Sequence, residues 1–522
     1  MPDPSLYQEF QRSVRENGTR IAIRAEAGDL TYSGLETACR EVAAALLGLS
    51  VERGDRIAVW GVNSAEWVVA ALAIQAVGAV LVPIGTRLRA REAKGIIEDA
   101  GARIVFCDRE FGGYDFVDAL EGADVGDLEQ IVVLDRKEEG RARVSSLTAL
   151  RAKASYADQA ALDARIAVGS GQDLADIIFT SGTTGKPKGV PMTCEQSLIA
   201  CRAQQEDIMR LTADDVFAVT YPFAHNAGYR AGWQISLLYG VRIVPVRVFE
   251  PGELLKQIER ERVTILPTVV AVAQGIVDHP DRQKTDLSSL RIISTGGTTI
   301  PVKLIEDMRA CMDDGTEVQS GYGLTETAGS VSSTNADDSA EVVARTVGHP
   351  LRTFDVKIVD PEHRELPRGE VGEIAVRGPQ VLKGYYENPE ATRQAFTSHG
   401  FFLTGDAGAI DEAGNIRITD RIKDMYLAGG FNCYPAEIEH VLRTMPGVDQ
   451  VAIMGVDDQR LGQVGKAFIV RKTGATIDEA AVIAWCRAEM ANYKVPRSVV
   501  FLDALPLNAT GKVAKADLRA MT

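Results

Sequence analysis

The amino-acid sequence predicts an α/β protein: a large N-terminal body of parallel-rich sheets covered by helices, followed by a small mobile α+β C-terminal lid domain. The first observation behind this prediction is that short apolar runs alternate with longer amphipathic stretches over most of the chain. The second is a change in character near residue 420, where polar, glycine-bearing sequence leads into a smaller unit. The length of 522 residues fits roughly two to four domains.

The apolar runs predict the strands of the body. Each is short and strongly apolar, and they lie at 56–60, 103–107, 130–134, 176–180, 216–220, 241–244, 263–267 and 290–294. Between several of them, segments such as 33–49 and 65–79 have the pattern of helices. Continuous apolar strands that alternate with helices are typical of parallel sheets that helices cover on both faces.

The C-terminal part predicts a compact α+β domain. It contains the apolar runs VAIMGV, KAFIVRK and SVVFLDALP and a helix near 477–491. These elements follow the polar, glycine-bearing stretch 405–424, whose composition is typical of a connection between domains. The predicted domains are therefore 1–422 and 423–522.

Composition narrows the classes of function. The formal net charge of -15 argues against nucleic acid or an anionic membrane surface as a partner. The seven cysteines form no CxxC pair, which favours free thiols in a reducing compartment over a disulfide framework. The start of the chain lacks a signal pattern, and no apolar run reaches the ~18 residues of a membrane span. We therefore expect a cytoplasmic protein without a transmembrane segment.

The segment 176–190, which reads DIIFTSGTTGKPKGV, has the composition of a phosphate-binding loop. An apolar strand runs directly into glycines, which let backbone amides turn toward an anion, and into hydroxyls and Lys186 and Lys188. It is not a Walker A loop, because Pro187 follows the lysine and the glycine spacing differs. The predicted binding residues are Thr180, Ser181, Gly182, Thr183, Thr184, Gly185 and Lys186.

Six segments in order along nearly the whole chain resemble one family. They read TSGTTGKPKG at 180–189, STGGTTI at 294–300, QSGYGLTET at 319–327, LTGDA at 403–407, DRIKDMYLAGGFNCYPAEIE at 420–439 and PLNATGK at 506–512. The chain is similar in all six to the adenylate-forming superfamily, which contains acyl-CoA synthetases, firefly-type luciferases and peptide-synthetase adenylation domains. The resemblance implies that the domain 1–422 binds AMP.

The resemblance implies roles for the two central segments in binding ATP and Mg²⁺. Tyr322 is similar to the aromatic residue that stacks on adenine, Thr325 to the hydroxyl that touches phosphate, and Glu326 to the carboxylate that holds magnesium. A hard cation with oxygen ligands suits ATP, because its negative charge must be neutralised before a carboxylate can approach. The glycines of the segments 294–300 and 319–327 would allow close approach of the nucleotide. They are Gly296, Gly297, Gly321 and Gly323.

Further roles that the resemblance implies fall on the later segments. Asp406 would accept hydrogen bonds from the ribose hydroxyls, Arg421 would contact ribose or phosphate, and Lys423 would lie at the hinge between the two domains. The Gly429–Gly430 loop would line the tunnel for coenzyme A. Many members carry Glu where this chain has Phe431, so only a backbone role is expected for that loop.

Lys512 and His225 are the candidates for roles at the reacting acid. Lys512 resembles the lysine that bridges the substrate carboxylate and the α-phosphate, where a cation between two anions stabilises the transition state. His225 has no zinc-ligand spacing around it and no GxSxG elbow accompanies it. The resemblance places it beside the acyl pocket, where we expect it to gate or shape the pocket.

Small residues surround His225 and Tyr229 in the sequence. They suggest a wide pocket for a fused-ring acid, and close helix packing explains them equally well. They are Ala224, Ala227, Gly228, Ala231 and Gly232.

The resemblance implies an ATP-dependent acyl-CoA ligase. A carboxylate and ATP give acyl-AMP and pyrophosphate, and coenzyme A then gives acyl-CoA and AMP. The chain most resembles the CoA ligases of bacterial steroid breakdown, which activate a ring-bearing propanoate. Medium- or long-chain fatty acids are the alternative substrates, and an adenylation enzyme that loads a carrier protein is an alternative class. The expected partners are a small carboxylic acid, ATP and coenzyme A, and a homodimer is expected from the family.

Overall fold

The chain forms two compact units in the computed structural model. The first unit contains Met1–Asp355 and Arg377–Phe396, and the second contains Val356–Val376 and Thr397–Thr522. The structure describes residues 3–25, 28–135, 141–154, 156–180, 187–296, 300–312, 315–421, 424–428, 431–458, 461–508 and 513–521. Within these ranges, no helix has both the length and the apolar character needed to cross a membrane.

Strands and helices alternate through most of the first unit. Its strands are β1 (Ile21–Ile23), β2 (Leu30–Thr31), β3 (Arg56–Trp60), β4 (Val80–Ile84), β5 (Ile104–Cys107), β6 (Glu110–Phe111), β7 (Tyr114–Asp115), β8 (Gln130–Val133), β9 (Val144–Ser146), β10 (Leu174–Thr180), β11 (Lys188–Thr193), β12 (Val216–Val219), β13 (Arg242–Pro245), β14 (Ile265–Val269), β15 (Ile292–Gly296), β16 (Glu317–Gln319), β17 (Gly321–Leu324), β18 (Gly329–Ser333) and β19 (His349–Pro350). Its α-helices are α1 (Leu6–Asn17), α2 (Tyr32–Gly48), α3 (Ala65–Ala76), α4 (Ala90–Ala100), α5 (Phe116–Gly122), α6 (Leu147–Arg151), α7 (Tyr156–Ala167), α8 (Cys194–Gln204), α9 (Asn226–Gly228), α10 (Ile235–Leu238), α11 (Pro251–Glu261), α12 (Val270–Asp278), α13 (Val302–Cys311), α14 (Ala340–Arg345) and α15 (Pro389–Gln394).

Two seven-stranded sheets form the centre of the first unit. One has the order β16-β15-β14-β12-β13-β1-β2 and the other the order β11-β10-β4-β3-β5-β8-β9. Their inner strands pair in parallel, and the edge strands β2 and β11 pair antiparallel. The eight predicted strands all lie in these two sheets, which confirms the parallel-rich α/β class.

Burial explains why the strands of this unit are apolar along their whole length. Every residue of β4 and β5 is buried, as parallel strands between helical layers require. Helix α3 is buried along its full length, and Ser64 caps its first turn by accepting from Trp67 N–H. The predicted helices 33–49 and 65–79 correspond to α2 and α3.

The second unit combines two sheets with three short helices in its described part. Its strands are β20 (Asp355–Val359), β21 (Gly372–Arg377), β22 (Phe402–Ile410), β23 (Ile416–Arg421), β24 (Tyr426–Ala428), β25 (Phe431–Cys433), β26 (Val448–Asp458), β27 (Gly462–Arg471) and β28 (Ser498–Leu502), and its helices are α16 (Pro435–Arg443), α17 (Glu479–Glu489) and α18 (Lys515–Arg519). One sheet has the order β20-β21-β22-β23, and β25-β24-β27-β26 with β28 beside β27 form the other.

An apolar core holds the later strands of the second unit to its helices. Ile438 and Leu442 of α16 pack with Ile453, Ile469 and Val482. The α+β character and the helix predicted near 477–491 are confirmed. The predicted hinge at Lys423 lies outside the described residues, so the division into 1–422 and 423–522 stays a prediction.

All seven cysteines are free thiols, as the scattered spacing indicated. Six are buried, and Cys311 is partly exposed. Burial raises the pKa of Cys201 to about 12, so that thiol stays protonated in the core.

Candidate active site

The described motif residues of the first unit lie where neighbouring parallel strands end. Strands β14 and β15 pair through Thr268↔Thr295 and Val269↔Gly296 at their carboxyl ends. The Tyr221 hydroxyl, two residues beyond β12, donates to Thr268 O at 2.6 Å. Ligands of open α/β sheets bind outside the carboxyl ends of the strands, so this edge is the candidate active site.

Two glycines allow the GYGLTET segment to fold back tightly after β16. Strand β17 pairs antiparallel with β18, and a Cβ added to Gly323 would lie 2.1 Å from Gly329 O. A Cβ on Gly321 would lie 2.8 Å from Ser332 O. Both positions therefore need glycine for backbone packing. Tyr322, between them, is only 9% exposed.

Gly296 differs from these two glycines because a Cβ there would not clash with the described residues. It would lie 3.6 Å from Gly321 O, an ordinary contact distance. The end of β15 and the start of β17 are thus adjacent. The approach of a flat ligand to this turn stays a prediction.

Glu326 lies in a short 3-10 turn, Thr325–Thr327, and two contacts hold it. Its backbone carbonyl accepts from Leu382 N–H at 2.8 Å, and its Oε1 accepts from the Tyr385 hydroxyl at 3.1 Å. Burial and the Glu326 carboxylate raise the pKa of Tyr385 well above its usual range, so the phenol remains a donor. Thr325 is partly exposed at the same turn.

A single carboxylate in this position suits magnesium that arrives with a nucleotide. Mg²⁺ commonly binds one or two protein carboxylates and completes its shell with water and substrate phosphates. Among the described residues, no group of three or more His, Cys, Asp or Glu side chains is placed to hold a metal ion. Glu326 therefore fits the predicted metal role.

His225 is exposed at the same edge of the sheet and begins helix α9. Its Nδ1 accepts from Ala227 N–H at 3.2 Å, so the neutral ring carries its proton on Nε2. The ring stacks on Tyr221, with 6.3 Å between centroids and 20° between planes. The adjacent Asn226 Nδ2 donates to Leu324 O at 3.4 Å, which connects this segment to the Tyr322 turn.

Two of the small residues after His225 are packed against the protein itself, and the wide acyl pocket stays a prediction. A Cβ on Gly228 would lie 2.2 Å from Pro222 O, and one on Gly232 would lie 3.0 Å from Val219 Cγ1. Tyr229 is fully buried, and its hydroxyl accepts from Gln75 Nε2 at 2.9 Å. Close packing, the alternative explanation, accounts for these residues.

Sequence reasoning missed a buried ion pair beneath the site. Arg230 and Asp176 are both fully buried, and Arg230 Nη2 lies 2.5 Å from Asp176 Oδ1. Arg230 also donates to Asn226 Oδ1 at 2.8 Å and to Ser197 Oγ at 3.1 Å. Since Asp176 lies in β10, which leads to the phosphate-loop segment, the pair joins that strand to the His225 segment. The signal available in the sequence was a charged residue inside each of two apolar stretches.

Several predicted residues lie outside the described part of the chain. Thr180 ends β10, and its hydroxyl donates to Lys188 O at 3.4 Å. The predicted residues without a structural description are Ser181, Gly182, Thr183, Thr184, Gly185, Lys186, Gly297, Lys423, Gly429, Gly430 and Lys512.

In the second unit, the structure brings two predicted residues together. Asp406 of β22 is 3% exposed and pairs in register with Arg421 of β23. Glu373, which sequence reasoning missed, accepts from Gly405 N–H through Oε1 at 2.9 Å. Burial raises the pKa of Glu373 above its ordinary value. Gly405 has φ +73°, a conformation that favours glycine next to the predicted ribose carboxylate.

Comparison with known families agrees with this geometry. Residues 10–386 match the AMP-binding enzyme model, and residues 437–512 match the AMP-binding enzyme C-terminal domain. The chain therefore belongs to the AMP-binding enzyme family. This confirms the predicted membership in the adenylate-forming superfamily.

Individual relatives extend over the same length. The chain is 43% identical over 515 residues to a protein of Mycobacterium tuberculosis (strain ATCC 25618 / H37Rv), covering 98% of both chains. It is 40% identical over 513 residues to a protein of Rhodococcus jostii (strain RHA1), covering 98% of this chain and 97% of that protein. Both are named as CoA ligases for a propanoyl group on a 7a-methyl-1,5-dioxo-octahydro-1H-inden-4-yl ring system. The predicted ligase class is confirmed.

A solved structure shows the same fold. ATP-bound MatB from Rhodopseudomonas palustris superimposes with a TM-score of 0.87 at 32% identity, covering 100% of this chain and 99% of that chain.

Proposed function

We propose that this protein is an ATP-dependent acyl-CoA ligase that activates a ring-bearing, steroid-derived propanoate. In the first half-reaction, a carboxylate oxygen attacks the α-phosphorus of ATP, acyl-AMP forms and pyrophosphate leaves. In the second, the thiol sulfur of coenzyme A attacks the acyl carbon, the bond to AMP breaks and the thiol proton passes to solvent. Positioning and charge neutralisation dominate such chemistry.

The observation that carries this proposal is the edge shared by the His225 and Glu326 segments. Asn226, next to His225, contacts Leu324, two residues before Glu326. An acid beside His225 and the phosphates beside Glu326 would therefore meet at the carboxyl ends of the same strands. The choice of acid rests on the two relatives with 43% and 40% identity.

Residues of the first unit would bind the nucleotide and its metal. Tyr322 would stack on adenine beside the turn at Gly296, Thr325 would donate to a phosphate oxygen, and Glu326 would hold Mg²⁺. When bound, Mg²⁺ supplies positive charge that offsets the phosphates. The Ser181–Lys186 loop would donate its amides and hydroxyls to the phosphates.

Residues of the second unit would serve the two half-reactions in turn. Asp406 and Arg421 would bind ribose or phosphate. Lys512 would stand between the carboxylate and the α-phosphate during adenylation, and it must leave before the thiol can enter. Rotation about a hinge at Lys423 would remove Lys512 from the active site and bring in the Gly429–Gly430 loop. One mobile domain would then serve adenylation first and thioester formation second.

Alternatives to this proposal concern the acid that is activated and the thiol that accepts the acyl group. A medium- or long-chain fatty acid is the second candidate substrate, and a carrier protein is the second candidate thiol. A cytoplasmic location and a homodimer remain predictions, to be checked by fractionation and by light scattering of the purified protein.

A pyrophosphate-release screen over a panel of carboxylic acids tests the proposal. The panel contains a ring-bearing propanoate, octanoate and palmitate, each with ATP and Mg²⁺ and then with coenzyme A. We expect the ring-bearing acid to give the highest kcat/KM, and we expect its thioester and AMP in equal amounts. If a straight-chain acid is preferred by about tenfold, or ~1.4 kcal/mol of transition-state binding, the acid is assigned wrongly. If no acid releases pyrophosphate, the ligase activity itself is contradicted.

A further inference from the structure

Tyr385 contacts Glu326, which the proposed function assigns to Mg²⁺, and Lys188, a charged residue of the phosphate-loop segment 176–190. Its hydroxyl donates to Glu326 Oε1 at 3.1 Å. Its ring lies under the Lys188 ammonium, with 4.9 Å between Nζ and the ring centroid. Lys188 begins β11 and lies near the end of the phosphate-loop segment 176–190. One aromatic side chain thus contacts the predicted metal carboxylate and a cation of the loop.

The backbone around Tyr385 is attached to the same two places. Leu382 N–H donates to Glu326 O at 2.8 Å, on the side of the metal turn. Tyr386 N–H donates to Gly189 O at 2.9 Å, on the side of strand β11. Tyr385 N–H itself donates to Thr392 Oγ1 at 2.9 Å. The segment 382–386 is therefore a bridge between the exit of the phosphate loop and the turn that carries Glu326.

These contacts restrict both charged groups in ways that matter for a bound nucleotide. A hydroxyl that donates to a carboxylate oxygen fixes the orientation of the carboxylate plane, and such partners of metal-binding groups affect metal affinity. A cation over an aromatic face is held at a defined position without losing its charge. Neither group depends on the ligand for its orientation.

We infer that Tyr385 is a positioning residue for the Mg²⁺–ATP complex. Its hydroxyl orients Glu326 for the metal, and its ring places Lys188 for the phosphates. This inference rests on the proposed function, because it assigns Glu326 to the metal. The two contacts use different parts of one side chain, so two substitutions separate them. Tyr385→Phe removes the hydroxyl and keeps the ring, and Tyr385→Leu removes both.

Calorimetric titration of ATP, with and without Mg²⁺, tests the inference without relying on turnover. The wild-type protein should bind ATP more tightly when Mg²⁺ is present. In Tyr385→Phe, the increase in ATP affinity caused by Mg²⁺ should be roughly tenfold smaller than in wild type, because outer partners of metal ligands have effects of this size. The affinity of this variant for ATP alone should stay within about twofold of wild type. Tyr385→Leu should in addition bind ATP alone more weakly. Tyr386→Phe is the matched control, since its backbone contact with Gly189 survives, and it should behave as wild type.

The outcomes of this titration separate the inference from the proposed function. If Tyr385→Phe keeps the full gain from Mg²⁺, or loses affinity equally with and without Mg²⁺, the positioning role is overturned. Equal thermal midpoints of Tyr385→Phe and Tyr386→Phe exclude an effect through folding. If the wild-type protein itself gains nothing from Mg²⁺, the assignment of Glu326 in the proposed function fails. A normal gain in wild type with an unaltered Tyr385→Phe contradicts the inference alone.

Discussion

The two units of the molecule support their predicted functional residues in different ways. In the first unit, fixed neighbours orient the described site residues: Tyr385 holds Glu326, and Tyr221 stacks against His225. In the second unit, the backbones of Asp406 and Arg421 pair in register between β22 and β23, and the other predicted residues lie outside the described ranges. The first unit thus presents a preorganised surface, whereas roles in the second unit still rest on its motifs.

One ion pair from each unit shows a difference in burial. Arg230 and Asp176 are fully buried in the first unit, whereas Lys515 and Asp424 of the second are 23% and 16% exposed at 3.3 Å. Removing one partner of a buried pair leaves an uncompensated charge without water. Water reaches the partly buried Lys515–Asp424 pair, so removing one of its partners costs less than in the fully buried pair. Because Arg230 also donates to Asn226 beside His225, the buried pair supports both the fold of the first unit and its candidate site.

The largest effect should follow from breaking the buried pair. Arg230→Met leaves Asp176 unpaired, and we expect the free energy of unfolding to fall by about 3–5 kcal/mol. Equilibrium unfolding in denaturant measures this loss. If the m value is unchanged, a shift of the midpoint reports the change in the free energy of unfolding. Lys515→Met, the matched control in the partly buried pair of the second unit, should lower the free energy of unfolding by clearly less than Arg230→Met. Similar losses for the two variants would remove the contrast between the units.

Lys512→Ala should have the next largest effect, and on one half-reaction. We expect acyl-AMP formation to fall by roughly 10²-fold or more, because a charge that stabilises two anions in the transition state is lost. Thioester formation from supplied acyl-AMP and coenzyme A should persist. Acetylation of Lys512, which removes its charge, should likewise abolish adenylation. Rapid-quench assays of each half-reaction make the measurement, with Lys515→Ala as the control. Equal losses in both half-reactions would refute this division of labour.

Lys423→Pro should affect the opposite half-reaction. Proline fixes φ near about -65° and removes an N–H, so a hinge at this position could no longer rotate freely. We expect adenylation within a few fold of wild type and thioester formation reduced by about tenfold or more. Lys423→Ala, which removes the charge but keeps backbone freedom, should retain both steps. Normal overall turnover of the proline variant would show that residue 423 is not the hinge.

The smallest effect should come from His225, if it shapes the acid pocket. His225→Ala removes the ring, and we expect the KM for the acid to rise roughly three- to tenfold while the KM for ATP stays constant. His225→Asn keeps a side-chain acceptor for Ala227 N–H and serves as the control for the helix start. Steady-state kinetics across pH is the measurement. A loss in kcat with an altered pH profile would indicate proton transfer and contradict the gating role.

The sequence contained enough information to place the strands and motifs but not the contacts between them. Apolar runs predicted the strands because a buried parallel strand must be apolar along its length. The Tyr385–Glu326 and Arg230–Asp176 contacts join residues 59 and 54 positions apart, and neither pattern nor spacing reveals them. Gly228 and Gly232 were ambiguous for a related reason: a small residue gives the same sequence signal whether a ligand or a neighbouring backbone fills the space beside it.

Isotope labelling of the acid tests the adenylate mechanism directly, because it follows the carboxylate oxygens. In this mechanism, a carboxylate oxygen bonds to the α-phosphorus of ATP and stays there when coenzyme A displaces AMP. With a ring-bearing propanoate labelled with ¹⁸O in both carboxylate positions, mass spectrometry should find one ¹⁸O atom in each AMP formed and none in pyrophosphate. Label in a phosphate other than AMP, or thioester formation with unlabelled AMP, would contradict the adenylate mechanism.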